Sequence, residues 1–201
     1  MRVFPPELWR FTLLLTAVAC LAAGFAAASD GWPPLVPTLL FSALVMFTEH
    51  RPVPLQNGVS VSSGFLVITA AIVVLTAEGS LFGAVVVAAA NGIYLPHFRR
   101  VTWRWIPFNA SLAVLSTLAA ALAYGALPDS FVQRLPLAGV AVMTLALTFF
   151  AVNAALIAAS DHFEGRERWT GFFRDAAPFV VQSLGFAALG VFVGRLYVDL
   201  G

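Results

Sequence analysis

Polar positions are so sparse along this chain that they act as punctuation. Between them run apolar stretches long enough to cross a hydrocarbon layer of about 30 Å, which takes roughly 20 helical residues. The stretches fall at about 9–29, 33–48, 63–77, 79–96, 105–126, 135–160 and 176–197. They lack the charges every few positions that the exposed face of a soluble amphipathic helix carries. The pattern predicts an all-α, polytopic transmembrane helical bundle of about seven spans, forming a single transmembrane domain over residues 1–201. The third stretch departs from the rest. Pro52-Val53-Pro54-Leu55-Gln56-Asn57-Gly58 has turn chemistry, so an irregular approach followed by a short helix after Gly64 is expected.

Composition narrows the class further: 60% of residues are hydrophobic, 10% are charged, and the mean hydropathy is +0.90. A soluble enzyme, a nucleic-acid binder and a disordered tail are excluded. All basic residues are arginine, and their placement orients the bundle, because short cytoplasmic loops carry the excess of basic residues. With the N-terminus in the cytoplasm, Arg2, Arg10, Arg51, Arg99, Arg100, Arg104, Arg166, Arg168 and Arg174 fall inside, and only Arg134 and Arg195 outside. The expected location is the cell inner membrane, crossed by multiple passes. The first stretch also resembles a secretory signal ending in Ala26-Ala27-Ala28-Ser29, but its apolar core is long for one, and retention as a span is the expectation. The single cysteine, Cys20, leaves no intramolecular disulfide or thiolate cluster and reads as a small packing residue.

Two features read as membrane-surface anchors. The inner loop Asp161–Asp175 sets Trp169, Phe172 and Phe173 against charges in an interfacial amphipathic segment, and Trp103-Arg104-Trp105 is an aromatic and basic counterpart. Close helix approach inside a bilayer needs small residues. Ala19, Ala23 and Ala27 offer one such face, and the pairs Gly79/Gly83 and Gly190/Gly194 two more; packing within the chain is the plain reading and a homodimer face the other.

No stretch has an Asp or Glu at its centre, which argues against a proton- or cation-coupled pump. The intramembrane polar groups are instead hydroxyls and amides: Ser60, Ser62 and Ser63 before the third stretch, Asn91 in the fourth, Asn109 in the fifth, Asn153 in the sixth and Gln182 in the seventh. With the N-terminus inside, all four amides fall in the inner half and form one expected layer. Such a layer is either a neutral, hydrogen-bonding pocket for a small polar or amphipathic ligand or a set of interhelical bonds of about 0.6 kcal/mol each. His50, His97 and His162 sit at inner ends beside arginines without an i, i+4 partner, which suits solvated loop residues better than a metal site. No catalytic motif is present, so no enzyme, metal or cofactor is expected from these residues.

One run carries a resemblance. Arg51-Pro52-Val53-Pro54-Leu55-Gln56-Asn57-Gly58-Val59-Ser60-Val61-Ser62-Ser63-Gly64-Phe65, with Phe108-Asn109-Ala110, Val152-Asn153-Ala154-Ala155-Leu156 and the proline-led last span from Pro178, resembles the N-terminal multi-span membrane region of bacterial HD-GYP and GGDEF signalling proteins, a vitamin-uptake-like sensor region. The resemblance covers about residues 50–200. It implies a membrane sensor input region for a small or lipid-like ligand, expected to be cropped before a further span and a cytoplasmic cyclic-di-nucleotide effector. The inner position of the polar layer does not suit an externally supplied vitamin, and none is carried over. The alternatives are a small-solute uptake component or permease and a structural subunit of a larger membrane assembly. Expected partners are the lipid bilayer and the unidentified ligand, with no nucleic acid.

Overall fold

The computed structural model describes residues 5–50, 63–93, 103–128, 131, 138–163 and 169–200, and the backbone at 53–54 and 60–61; within the last helix side chains are described from Gln182 onward. Seven helices stand among the described residues: α1 (Pro6–Asp30), α2 (Leu35–Glu49), α3 (Gly64–Ala77), α4 (Leu81–Asn91), α5 (Trp105–Gly125), α6 (Ala138–Phe163) and α7 (Trp169–Leu200). Between α2 and α3 the strands β1 (Val53–Pro54) and β2 (Ser60–Val61) pair antiparallel, with Val53 opposite Val61 and Pro54 opposite Ser60.

Local chemistry explains the boundaries. Pro6 starts α1 at a position whose N–H would be unsatisfied anyway. Helix α3 ends in a left-handed turn: Gly79 has φ 71, its N–H reaches the Thr76 carbonyl at 3.0 Å, and the Ser80 N–H reaches that of Leu75 at 2.7 Å. Ser80 then starts α4, its hydroxyl accepting the Gly83 N–H at 3.1 Å.

Contacts at the helix ends define the bundle. Trp9 and Trp103 meet edge to face at 5.7 Å, the Arg104 guanidinium lies 5.5 Å from the Trp9 ring, and Phe11 stacks on Phe163 at 4.9 Å. At the far end of α1 the Asp30 carboxylate accepts the Phe82 N–H at 3.2 Å. The bundle therefore has a Trp9 end, where α1 and α5 start and α6 stops, and an Asp30 end, where α1 stops and α4 starts.

Helix α3 occupies the centre, packed against α2, α4, α5 and α7, and every residue from Val67 to Leu75 is buried. Its broadest interface is with α7. Gly190 lies over Leu66 and Thr69, and Gly194 over Ala70 and Val73, so the two helices run parallel and nearly in backbone contact. A second apolar cluster joins Ala19 of α1, Val85 and Ala88 of α4, and Ala113 and Val114 of α5, with Ala23 packed against it.

Outward faces invert the soluble pattern. Leu21 and Phe25 of α1 are 76% and 77% exposed, and Leu39, Leu44 and Phe47 of α2, Met143 and Leu147 of α6, and Phe192 and Leu196 of α7 also point outward. Apolar surface this broad does not face water. Among the described residues four helices, α1, α5, α6 and α7 (over Gln182–Leu200), are long and apolar enough to cross a bilayer. The chain is a helical membrane protein.

Several expectations change. Helices α2, α3 and α4 have 15, 14 and 11 residues, about 22, 21 and 16 Å at 1.5 Å per residue; the fourth stretch holds a helix much shorter than 79–96, bounded by the Gly79 turn and by Gly92. Gly79 belongs to that turn and has nothing within 4 Å of a built Cβ, whereas Gly83 packs on Pro33 and Thr38, so the two do not form one packing pair. Trp169 begins α7 itself, which runs unbroken through Pro178, while Asp161–Phe163 complete α6, so the stretch expected to be one inner loop is divided between the end of α6 and the start of α7.

Candidate functional site

The three short helices are neighbours, since α2 packs on α3 and α4 and α3 on α4. Helices α3 and α4 meet at the Gly79 turn at the Asp30 end and reach only part of the way to the other. Toward the Trp9 end, α4 ends at Asn91 and α3 begins at Gly64, while α1, α5 and α6 continue. That region is the candidate site.

Asn91 is the last residue of α4. Gly92 lies directly against the backbone of Ala110, which brings Asn91 and Asn109 to adjacent positions on abutting helices. Two residues after Asn109 the Ser111 hydroxyl lies 2.6 Å from the Pro107 carbonyl and 3.0 Å from Thr16 Oγ1, and Thr16 donates to the Thr12 carbonyl at 2.8 Å, so α1 and α5 are joined by satisfied hydroxyls at this level. Asn91 differs: its Oδ1 is buried and has no hydrogen-bond partner. Asn109, Asn153 and Gln182 are half-buried and make no hydrogen bond to another described residue.

The four amides do not share one level. The Phe11–Phe163 stack sets the end of α6 beside the start of α1. Asn153 stands about ten residues beyond Phe163, or about 15 Å along the axis, whereas Asn109 is one turn into α5. Asn153 is thus level with Ser116 and Thr117 of α5, the helix α6 packs against. Both hydroxyls are fully buried and unpartnered, as are the oxygens of Thr38 and Ser42 on α2. Helical Ser and Thr ordinarily bond the carbonyl four residues back, as Thr12 and Thr76 do. Gln182 precedes Gly190 by about two turns and so lies on the Trp9 side of the start of α3.

The serines divide. Ser63 precedes α3 and its carbonyl accepts the Leu66 N–H at 3.0 Å, with no side-chain cap bond. Ser60 is in β2, described by backbone alone, and Ser62 lies outside the described residues. His50 Nδ1 is 2.6 Å from the Met46 carbonyl, His162 is exposed beside Phe163, and His97 lies outside the described residues. No group of three metal-ligating side chains occurs among the described residues.

No protein-family model, curated protein or solved structure matches the chain.

The site's chemistry follows from its inventory. An amide oxygen with no donor, at a helix C-terminus whose carbonyls carry partial negative charge, is set to receive an N–H or O–H group. The hydroxyls of Ser116, Thr117, Thr38 and Ser42 are not among the residues expected from the sequence, where Arg195 enters only as one of two arginines on the outer side. Arg195 in fact stands inside α7, about five residues short of its end. An arginine within an apolar stretch was the available signal.

Proposed function

We propose that this chain is the membrane-embedded ligand-binding input region of a bacterial signal-transduction protein of the HD-GYP/GGDEF-associated kind, set in the inner membrane. In this reading it crosses seven times with its N-terminus and the Trp9 end on the cytoplasmic side. The observation that carries the reading is the buried Asn91 Oδ1 without a partner, placed where α4 ends and Gly92 abuts Ala110, the residue after Asn109. A polar atom unsatisfied in a low-dielectric interior costs about 1–3 kcal/mol, and a bound ligand that supplies a donor recovers it. The ligand is neutral and donor-bearing, small or lipid-like. Signalling requires that it bind one arrangement of the bundle better than another, and the ends of three short helices provide a place where that difference arises.

The test is a pair of variants, Asn91→Leu and Asn109→Leu, in the native full-length gene product. The detergent-solubilised proteins are expected to keep their melting transition, while cellular cyclic-di-nucleotide content no longer responds to growth conditions. Loss of the melting transition would make the amides structural. A reporter at the true C-terminus of the native product, active on one side of the membrane only, is expected to read cytoplasmic. An external reading, with an unchanged cyclic-di-nucleotide content, favours a solute-uptake component, a second reading supported by the grouping of short helices as in the discontinuous helices of transporter sites.

A further inference from the structure

Arg195 is half-buried and presented inward. It follows Val191 by one turn on the same face of α7, and Val191 is buried in the core cluster that includes Leu75, Tyr124 and Ala141. Phe192, Val193 and Leu196 take the exposed face. The guanidinium therefore does not run along the lipid surface as a snorkelling side chain does. It lies near enough to the buried Tyr124, across the end of α3 from α7, to interact electrostatically with its hydroxyl, and its Nε is buried with no hydrogen-bond partner. No ion pair joins it to a described carboxylate: Asp30 accepts from Phe82, while Glu78 and Asp199, at the same end of the bundle, are exposed. A buried cation without a counter-charge is costly.

We propose that Arg195, with the Tyr124 hydroxyl beside it, holds a carboxylate or phosphate group at the Asp30 end of the bundle, between the ends of α3, α5 and α7. The unpartnered Nε of the guanidinium is one arm of the forked donor pair that a two-oxygen anion accepts. Two sources share this chemistry, a small soluble anion and the phosphate of a lipid headgroup. The site lies at the opposite end from Asn91 and does not depend on what binds there.

The experiment uses the full chain. Thermal unfolding is followed in a non-ionic detergent with inorganic phosphate or acetate against chloride at equal ionic strength, and in nanodiscs of phosphatidylcholine with or without phosphatidylglycerol. The variants are Arg195→Gln, Arg195→Lys and Tyr124→Phe. Phosphate or acetate is expected to raise the wild-type Tm if the anion is soluble, and phosphatidylglycerol alone if it is a headgroup; Arg195→Gln removes the response and Arg195→Lys weakens apparent affinity roughly tenfold. Should Arg195→Gln not fold, Arg195→Lys and Tyr124→Phe decide, and an unaltered response in both overturns the proposal. It is also overturned if wild type responds to no anion or headgroup, or if Arg195→Gln responds like wild type.

Discussion

Gly190→Ala is the sharpest test of the packing. A Cβ built on Gly190 falls inside contact with Thr69 Oγ1 and 2.5 Å from the Leu66 carbonyl oxygen. The carbonyl is backbone and cannot rotate away, so α7 must retreat from α3 by about 0.8 Å to reach ordinary contact. That retreat opens the broadest helix interface of the bundle, and overpacking of this sort costs about 1–3 kcal/mol. Gly194→Ala meets Val73 Cβ at 2.8 Å and the Ala70 carbonyl at 2.9 Å, a smaller conflict. Gly185, exposed on the same helix with nothing within 4 Å, is the control; alanine there leaves stability unchanged or raises it by up to about 1 kcal/mol. Reversible unfolding in mixed micelles should rank the variants Gly190→Ala least stable, then Gly194→Ala, then Gly185→Ala. Thr69→Ala in the Gly190→Ala background should recover about 0.5–1 kcal/mol, because it removes one of the two conflicts. If Gly190→Ala is as stable as Gly185→Ala, the α3–α7 contact is not the tight one argued above.

Asp30→Ala removes an acceptor from the start of α4 and should cost about 0.5–1 kcal/mol in the same assay, with Ser80→Ala costing a further ~1 kcal/mol; additive losses are expected because the two satisfy different N–H groups, those of Phe82 and Gly83. Ser111→Ala should cost about 0.6 kcal/mol, through its contact with Thr16. Asn91→Leu should be neutral or stabilising, since it deletes an unpartnered buried acceptor; destabilisation beyond about 1 kcal/mol would place a structural partner on that oxygen.

The apolar pattern located every helix because bilayer-length hydrophobic runs leave little alternative to helix, and the turn residues before Gly64 correctly marked α3 as short. The same pattern could not show that α4 stops at Asn91. Apolarity continues through Gly92 and Ile93, and hydropathy reports burial rather than backbone conformation. Nor did spacing separate the two glycine pairs: Gly190 and Gly194 lie in mid-helix against α3, while Gly79 is spent on a positive φ. For the site, residue type identified the amides, but their levels depended on register across helices. That register lifts Asn153 away from Asn109. The unpartnered hydroxyls were illegible because a helical Ser or Thr usually satisfies itself.

Arg195 shows how packing and chemistry are linked in α7. The docking of Gly190 and Gly194 on α3 sets the rotation of the helix, and at 3.6 residues per turn that rotation turns Val191 and Arg195 inward while Phe192 and Leu196 face outward. The apolar arrangement thus chooses which way the charge points. Gly194→Ala, adjacent to Arg195, should therefore weaken the rise in Tm with phosphate, acetate or phosphatidylglycerol together with the loss of stability, whereas Gly185→Ala should leave both intact. A Gly194→Ala protein that is destabilised yet keeps the full response would separate the glycine contact from the placement of Arg195, and the guanidinium would then owe its direction to Tyr124 alone.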